Sequence, residues 1–361
     1  MNSVRARRGR GVWLWLAVVL LALAAGHAVL WRWAEQRLEA GFQEWAEARR
    51  AAGWTVHTGE MEQAGWPLAA RLVVRQLAVE GGDNMIPGGF AWSADRVALS
   101  IGLLHPHVLT IVPDGAQQFR VGDWPAIPYV ADTLRVDVPL EPGMPARMAD
   151  LVGKGLRAGV PAGRERGVPG GTVGVTVGLV RIHAEARPNA AEGEPALTAQ
   201  ASVEAVALPG GFRWALGSRV SSASFDAALT GPLPRTPDLT RRATSWRDGG
   251  GTVQIRHLAL GWGPLGLTGS ATLALDAHLQ PMGTASARVV GYADALDALG
   301  AAGTLNPKAA LAAKALAALI ASSPEGGGPP EVEIPLNLQD RTLSVRQIPI
   351  ARIPALQWPP G

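Results

Sequence analysis

One segment restricts this chain more than any other. Gly11 to Trp31 reads GVWLWLAVVLLALAAGHAVLW and contains a single ionisable group, His27. As a helix of about 21 residues it would span roughly 31 Å, the thickness of a bilayer's hydrocarbon core. Trp13, Trp15, Trp31 and Trp33 fall near its two ends, where interfacial aromatics belong. The anchor is therefore expected to be carried by Val12, Trp13, Leu14, Leu20, Leu21, Leu23, Leu30 and Trp31. Arg5, Arg7, Arg8 and Arg10 precede the segment, whereas Arg32 and Arg37 beyond it are mixed with Glu35 and Glu39. That contrast puts the N-terminus inside, although Arg49 and Arg50 weaken it over a wider window. A cleaved signal peptide is the rival, with small-residue sites at Ala22-Leu23-Ala24 and Ala24-Ala25-Gly26. The apolar run continues past both sites to Trp31, which favours an uncleaved, single-pass anchor in the inner membrane with the large domain in the periplasm.

The anchor also explains the charge. The chain has 33 basic and 30 acidic residues, net +3. Residues 1–34 hold five Arg and no acid, so the remainder carries 28 bases against 30 acids. The basic excess belongs to the anchor, and the folded domain shows no basic patch of the kind nucleic acid requires. With no cysteine, disulfides, thiolate metal sites and a lipidated N-terminal Cys are excluded.

From Trp33 to Ala52 the pattern becomes helical and charged, with Leu38, Phe42 and Trp45 on one face. An amphipathic stalk over 35–53 is expected, stopped at Gly53. Thereafter alternation of period two dominates. Val97, Leu99 and Ile101 alternate, as do Leu134, Val136 and Val138. Val173 to Leu179 alternate before the apolar phase moves to Val180 and Ile182, which predicts a bulge. Further strands are read at Val253–Leu260, Leu273–Leu279 and Val332–Leu338, with Asp340-Arg341 as a turn. The 44 Gly and 28 Pro suit many short strands joined by turns. Helices are expected at Pro237–Asp248, with Thr236 as N-cap and Gly249 as stop, at Tyr292–Leu299, at Pro307–Ser322 and, from a weaker pattern, at Met144–Leu156.

The expected fold is mainly β: an N-terminal transmembrane helix, then an elongated curved antiparallel sheet or a two-layer β domain with a few short helices. Residues 1–34 form the cytoplasmic tail and anchor, 35–53 the stalk, and 54–361 the exported domain. Gly88-Gly89-Phe90-Ala91-Trp92 recurs as Gly210-Gly211-Phe212-Arg213-Trp214, which suggests two related halves near 54–165 and 166–361.

Chemistry is hard to find in this sequence. Gly261-Trp262-Gly263-Pro264-Leu265-Gly266 fits G-x-G-x-x-G but opens no helix, and Pro264 lacks an N–H for a phosphate; it reads as a strand-to-strand turn. His105 and His107 have no evident third partner for a metal. No H-E-x-x-H, G-x-S-x-G or P-loop occurs. A non-enzymatic protein with no cofactor and no metal is expected. The 13 Trp against five Phe and two Tyr are read as caps on core layers, some of them as ligand-lining groups.

Gly53-Trp54, Gly65-Trp66-Pro67-Leu68, Trp246-Arg247-Asp248-Gly249-Gly250-Gly251, Leu258 to Leu265, Leu279-Gln280-Pro281-Met282-Gly283 and Ile348 to Pro354 resemble a membrane-anchored envelope family, domain-of-unknown-function family 2125. The strand–Gly–strand–Gln-Pro-x-Gly–strand–helix pattern is similar, more distantly, to the AsmA-like group of envelope proteins. That second resemblance implies a curved sheet with an apolar inner groove and roles in envelope assembly or lipid movement; neither supplies catalytic residues. The expected partners are the membrane, lipid or acyl chains and other envelope proteins, and not nucleic acid. Two functions remain open: a groove that binds or shuttles lipid, and a scaffold that assists envelope assembly. A hydrolase is a distant third.

Overall fold

The computed structural model describes residues 7–82, 88–141, 146–161, 172–210, 212–234, 236, 238–322, 327–345 and 347–358. Helix α1 runs unbroken from Arg7 to Ala51. It contains no proline, and it ends where Gly53 turns the chain at φ +85°. The strands that follow are β1 (Thr55–His57), β2 (Met61–Ala64), β3 (Ala69–Gly81), β4 (Phe90–Gly102), β5 (His105–Val121), β6 (Ile127–Val130), β7 (Thr133–Pro139), β8 (Met148–Pro161), β9 (Thr172–Ala186), β10 (Pro195–Ala207) and β11 (Arg219–Thr230). Helix α2 (Leu239–Asp248) precedes β12 (Val253–Trp262), β13 (Leu265–Leu275) and β14 (Pro281–Val290). Helices α3 (Tyr292–Ala301) and α4 (Pro307–Ile320) lead to β15 (Glu331–Gln339), β16 (Thr342–Val345) and β17 (Ile348–Arg352).

These strands form one antiparallel sheet that follows chain order. β1 and β2 lie end to end against β3, and β6 and β7 lie end to end between β5 and β8. β8 and β9 straddle the expected boundary between halves and pair from Met148–Glu185 to Pro161–Thr172, so the ladder crosses it without a break. The two Gly-Gly-Phe-x-Trp copies also differ in conformation. Phe90 to Trp92 open β4, whereas Phe212 to Trp214 lie in a connection outside any strand.

Strand irregularities are aligned. Gln76, Gly115, Gly155 and Ala205 all have positive φ, between 48° and 83°. Gly155 and Ala205 flank Gly178, where the ladders skip from Leu179 to Val177 on both sides. Gln76 lies opposite Asp95, beside the extra residue of β5 at Gly115. At Gly155 a Cβ would sit 2.0 Å from Asp132 Oδ2, so glycine is required there. Interruptions of the ladder at matching positions in successive strands, one of them a bulge at Gly115, let a wide sheet bend instead of coiling progressively.

Three readings are corrected. Met144–Leu156 is not helical: Met148 onward is β8, and Met144 lies outside the described residues. Hydrogen bonding on both sides of this strand overrides the mild helix preference of its Ala, Leu and Lys. Helix α2 is capped by Asp238, whose carboxylate accepts from Arg241 N; Thr236 instead lends its carbonyl to the Arg242 guanidinium. The bulge predicted in β9 is absent as such: at Gly178 the ladders skip one residue on each strand and the register holds on both sides.

The main core lies under the second half of α1. Leu38, Phe42 and Ala46 pack with Val56, Leu72, Val74, Leu77, Val79, Ala94, Val97 and Leu99. The segment read as a stalk thus forms part of the domain. Elsewhere, the Trp-Arg-Asp-Gly-Gly-Gly motif makes a second anchor point. Trp246 is buried, donates from Nε1 to the Thr230 carbonyl at 2.8 Å, and its ring occupies the space a Cβ on Gly251 would need.

Candidate functional site: an apolar groove and lane

The sheet has two unlike faces, and strand register decides how they are built. Residues directly opposite one another in a ladder point to the same face. Starting under α1, Leu72 pairs with Leu99, Leu99 with Ile111, Ile111 with Val136, Val136 with Leu151, and Leu151 with Ile182. The line continues from Ile182 to Ala201, Phe225, Leu258, Gly269, Ala287 and Ile334. Every position on this rung, from β3 to β15, is apolar or glycine. At a strand spacing of about 4.8 Å it extends roughly 50 Å across the sheet. A parallel rung beside it runs Ala149, Ala184, Ala199, Ala227, Ile255, Ala271, Ala285 and Leu336.

The opposite face is polar at the same level. Thr110, Asp137, Asp150, His183, Gln200, Asp226 and His257 form one rung. Thr110 donates to Asp137 at 2.6 Å, His183 Nδ1 meets Asp150 at 2.7 Å, and Gln200 donates to Asp226 at 3.2 Å. Asp137 and Asp150 lie side by side; the Arg135 guanidinium, with help from Thr110, holds the Asp137 carboxyl below the usual carboxylate range despite some desolvation. These groups satisfy one another in solvent, and no cluster of three metal-ligating side chains occurs among the described residues.

Between α1 and the apolar face lies a cavity of about 1150 Å³. That exceeds the usual range for small-ligand pockets, roughly 300–1000 Å³. One wall is α1, through Leu30, Trp33, Leu38, Phe42 and Trp45; the floor is the sheet, through Val79, Trp92, Leu99, Ile101, Leu109, Ile111 and Phe119. Tyr129 takes a hydrogen bond from Trp92 Nε1 at 2.9 Å, and burial pushes its phenol above the ordinary value. The lane leaves the cavity through Ile111 and Val136 and becomes progressively open. Leu72 and Leu99 are 1% and 6% exposed, whereas Ile182, Phe225 and Leu258 are 38%, 41% and 42% exposed.

The residues expected to form the anchor all lie in α1. Leu20, Leu21 and Leu23 are between 67% and 74% exposed, an open apolar surface, and Leu30, 51% exposed, also faces the cavity. Of Val12, Trp13 and Leu14 only the helical backbone is described. Trp31 departs from a purely lipid-facing role, since its Nε1 donates to the Ala69 carbonyl at 2.9 Å. His27 likewise meets the Pro67 carbonyl at 2.7 Å. α1 is the one helix long and apolar enough to cross a membrane among the described residues. His105 and His107 are exposed at the start of β5, and the Gly261–Gly266 motif is the β12–β13 hairpin, with Gly263 at φ +56°.

Sequence reasoning missed the lane and an unusual acid. Alternation shows that each strand has an apolar face, but only register shows that these faces join. Glu35 is 2% exposed with both carboxylate oxygens unpaired, and burial, only partly offset by Arg32, raises its pKa. Its place three residues before Leu38 on the buried helix face was readable as a polar residue in an apolar stripe.

The motifs used for the resemblance hold chain segments together. Gln280 donates to Leu356 O and accepts from Leu356 N, at 3.1 and 2.8 Å, while Trp358 Nε1 donates to Leu279 O at 2.9 Å. No curated protein and no solved structure matches the chain. A family model does match, over residues 31–354. On that coverage the chain belongs to the DUF2125 family, described as uncharacterized proteins conserved in bacteria.

Proposed function

We propose that this protein is a non-enzymatic, membrane-anchored carrier that holds acyl chains, or another extended apolar ligand, in the groove and along the lane. One observation carries the reading: an unbroken apolar rung that begins in a large helix-covered cavity and runs on, half-exposed, over strands with a polar reverse face. An exposed apolar surface of that extent is costly in water and marks an interaction site. Each CH₂ transferred from water is worth about 0.8 kcal/mol, so an alkyl chain gains affinity from such a surface without any polar recognition. α1 serves as an uncleaved anchor in the cytoplasmic membrane, N-terminus inside, with the sheet on the periplasmic side; the arginines before Gly11 support that orientation.

The test is mass spectrometry of full-length protein transferred from detergent into an amphipathic polymer, coupled with displacement of a fluorescent fatty acid. Co-purified lipid and saturable displacement are expected. A lipid-free protein that binds no fatty acid sinks the carrier reading. One observation favours a scaffold instead: Leu311, Leu316 and Leu319 on α4 are 70%, 61% and 82% exposed, which would suit a protein partner in the envelope. Recovery of one stoichiometric partner, lost on Leu316→Glu and Leu319→Glu, would support it.

A further inference from the structure

We infer that the edge of the sheet beside the anchor is itself a membrane-docking surface: Trp66, Leu68 and Leu104 sit in the headgroup and glycerol layer of the leaflet from which α1 emerges. α1 runs along β3, beside β1 and β4, from one rim of strand ends to the other. Its C-terminal end meets the far edge, where Thr55 pairs with Glu80 just after the helix. Twenty residues earlier it passes the near edge, where Trp31 Nε1 bonds Ala69 O at the first residue of β3. Everything N-terminal of that point projects beyond the sheet. The end of the apolar segment and the near edge are therefore at one level, fixed by two hydrogen bonds from α1, those of His27 and Trp31.

At that level stand two connections. Trp66 lies in the β2–β3 turn, its ring 5.2 Å from those of both His27 and Trp31. Leu68 follows it, and the Leu68 carbonyl accepts from Leu103 N, which ties this turn to the β4–β5 turn carrying Leu104. Leu68 and Leu104 are 78% and 87% exposed and Trp66 is 53% exposed. Large apolar side chains held outward at loop tips are unfavourable in water and suited to the membrane interface, with Trp the residue most enriched there. Turns on the same edge farther from the helix, Arg187 to Glu194 between β9 and β10 and Asp276 to Gln280 between β13 and β14, are mostly polar, although the C-terminal tail brings Leu356, 48% exposed, against the second of them.

The rim also borders the cavity. Leu103 and Pro106, one and two residues from Leu104, line it together with Leu30 of α1. A chain leaving the leaflet would enter the groove without crossing bulk water, so the sheet needs no separate delivery step. The docking itself rests on the anchor reading of α1, and only its use as an entry depends on the carrier reading.

The chain has no cysteine, so single labels can be placed cleanly. Leu68→Cys and Leu104→Cys, with Trp124→Cys at the opposite edge as control, are made in full-length protein. Each is labelled with an environment-sensitive fluorophore and reconstituted into vesicles of phosphatidylethanolamine and phosphatidylglycerol containing a nitroxide lipid. Trp124 is 75% exposed, so the control differs in position and not in accessibility. Labels at 68 and 104 are expected to be blue-shifted and quenched by the lipid nitroxide at least threefold more than the label at 124. Equal lipid quenching at all three, with 104 as open to aqueous iodide as 124, overturns the docking. Lipid occupancy measured by mass spectrometry is a separate readout: docking with an empty groove leaves this inference intact and removes the carrier.

Discussion

The most consequential prediction concerns where the folded domain begins. Sequence pattern places a boundary at Gly53, but the structure puts Leu38 and Phe42, 8% and 9% exposed, in the same core as Leu72, Val74, Leu77, Val79, Val97 and Leu99. Full burial of such a side chain is worth about 1.5–3 kcal/mol, so these eight together represent roughly 12–24 kcal/mol. Extended-chain references overstate burial, and some of the sheet residues would stay partly covered. Halving the sum still leaves about 6–12 kcal/mol, comparable with the ~5–15 kcal/mol that holds a whole domain together. A chain beginning at Trp54 should therefore lose cooperative unfolding of the β3–β5 region, while one beginning at Arg32 retains it. Tryptophan fluorescence in a urea titration, with amide hydrogen exchange to locate the lost protection, measures this. Equal midpoints and equal protection in β3 and β4 for the two chains would refute the claim that the helix completes the core.

Three further outcomes follow from named residues. Glu35 is neutral in both states below about pH 4.5, but as pH rises through that value and then through its raised folded value the native state alone is penalised. Glu35→Gln should thus be more stable than the parent at pH 7, with the difference vanishing in acid; a pH-independent difference in Tm contradicts this. Ile182→Asp places a charge in the exposed part of the lane, and should sharply reduce co-purified lipid while Tm changes little, as mass spectrometry and calorimetry would show. Gly251→Ala pushes a methyl to within 2.2–2.5 Å of the Trp246 ring and should destabilise by about 1–3 kcal/mol, read from denaturant midpoints.

The sequence by itself determined the long apolar N-terminal helix, the mainly β composition and the polarity of each strand. These are local properties: a twenty-residue apolar run is self-sufficient in a bilayer, and alternation fixes which side of a strand is apolar whatever its neighbour. The Trp-Arg-Asp-Gly-Gly-Gly and Gln-Pro-Met-Gly motifs were legible as motifs, but their purpose was not, since Trp246 needs Thr230 and Gln280 needs Leu356 as distant partners. The helix expected at Met144–Leu156 is, from Met148 onward, a strand, because its local preference is weak and pairing on both sides decides it.

Only the tertiary structure decided the site. Whether Leu151, Ile182 and Phe225 lie on one line depends on register, and a slip of one residue in any ladder would have sent half the line to the polar face. Likewise, nothing in residues 35–53 alone distinguishes a solvated stalk from a helix laid across a sheet; the distinction is made by β3 and β4, which supply the apolar surface that Leu38 and Phe42 cover. That same docking sets Trp66, Leu68 and Leu104 level with the end of the apolar segment, because a helix fixed rigidly to the sheet also fixes where along it the sheet's edge falls.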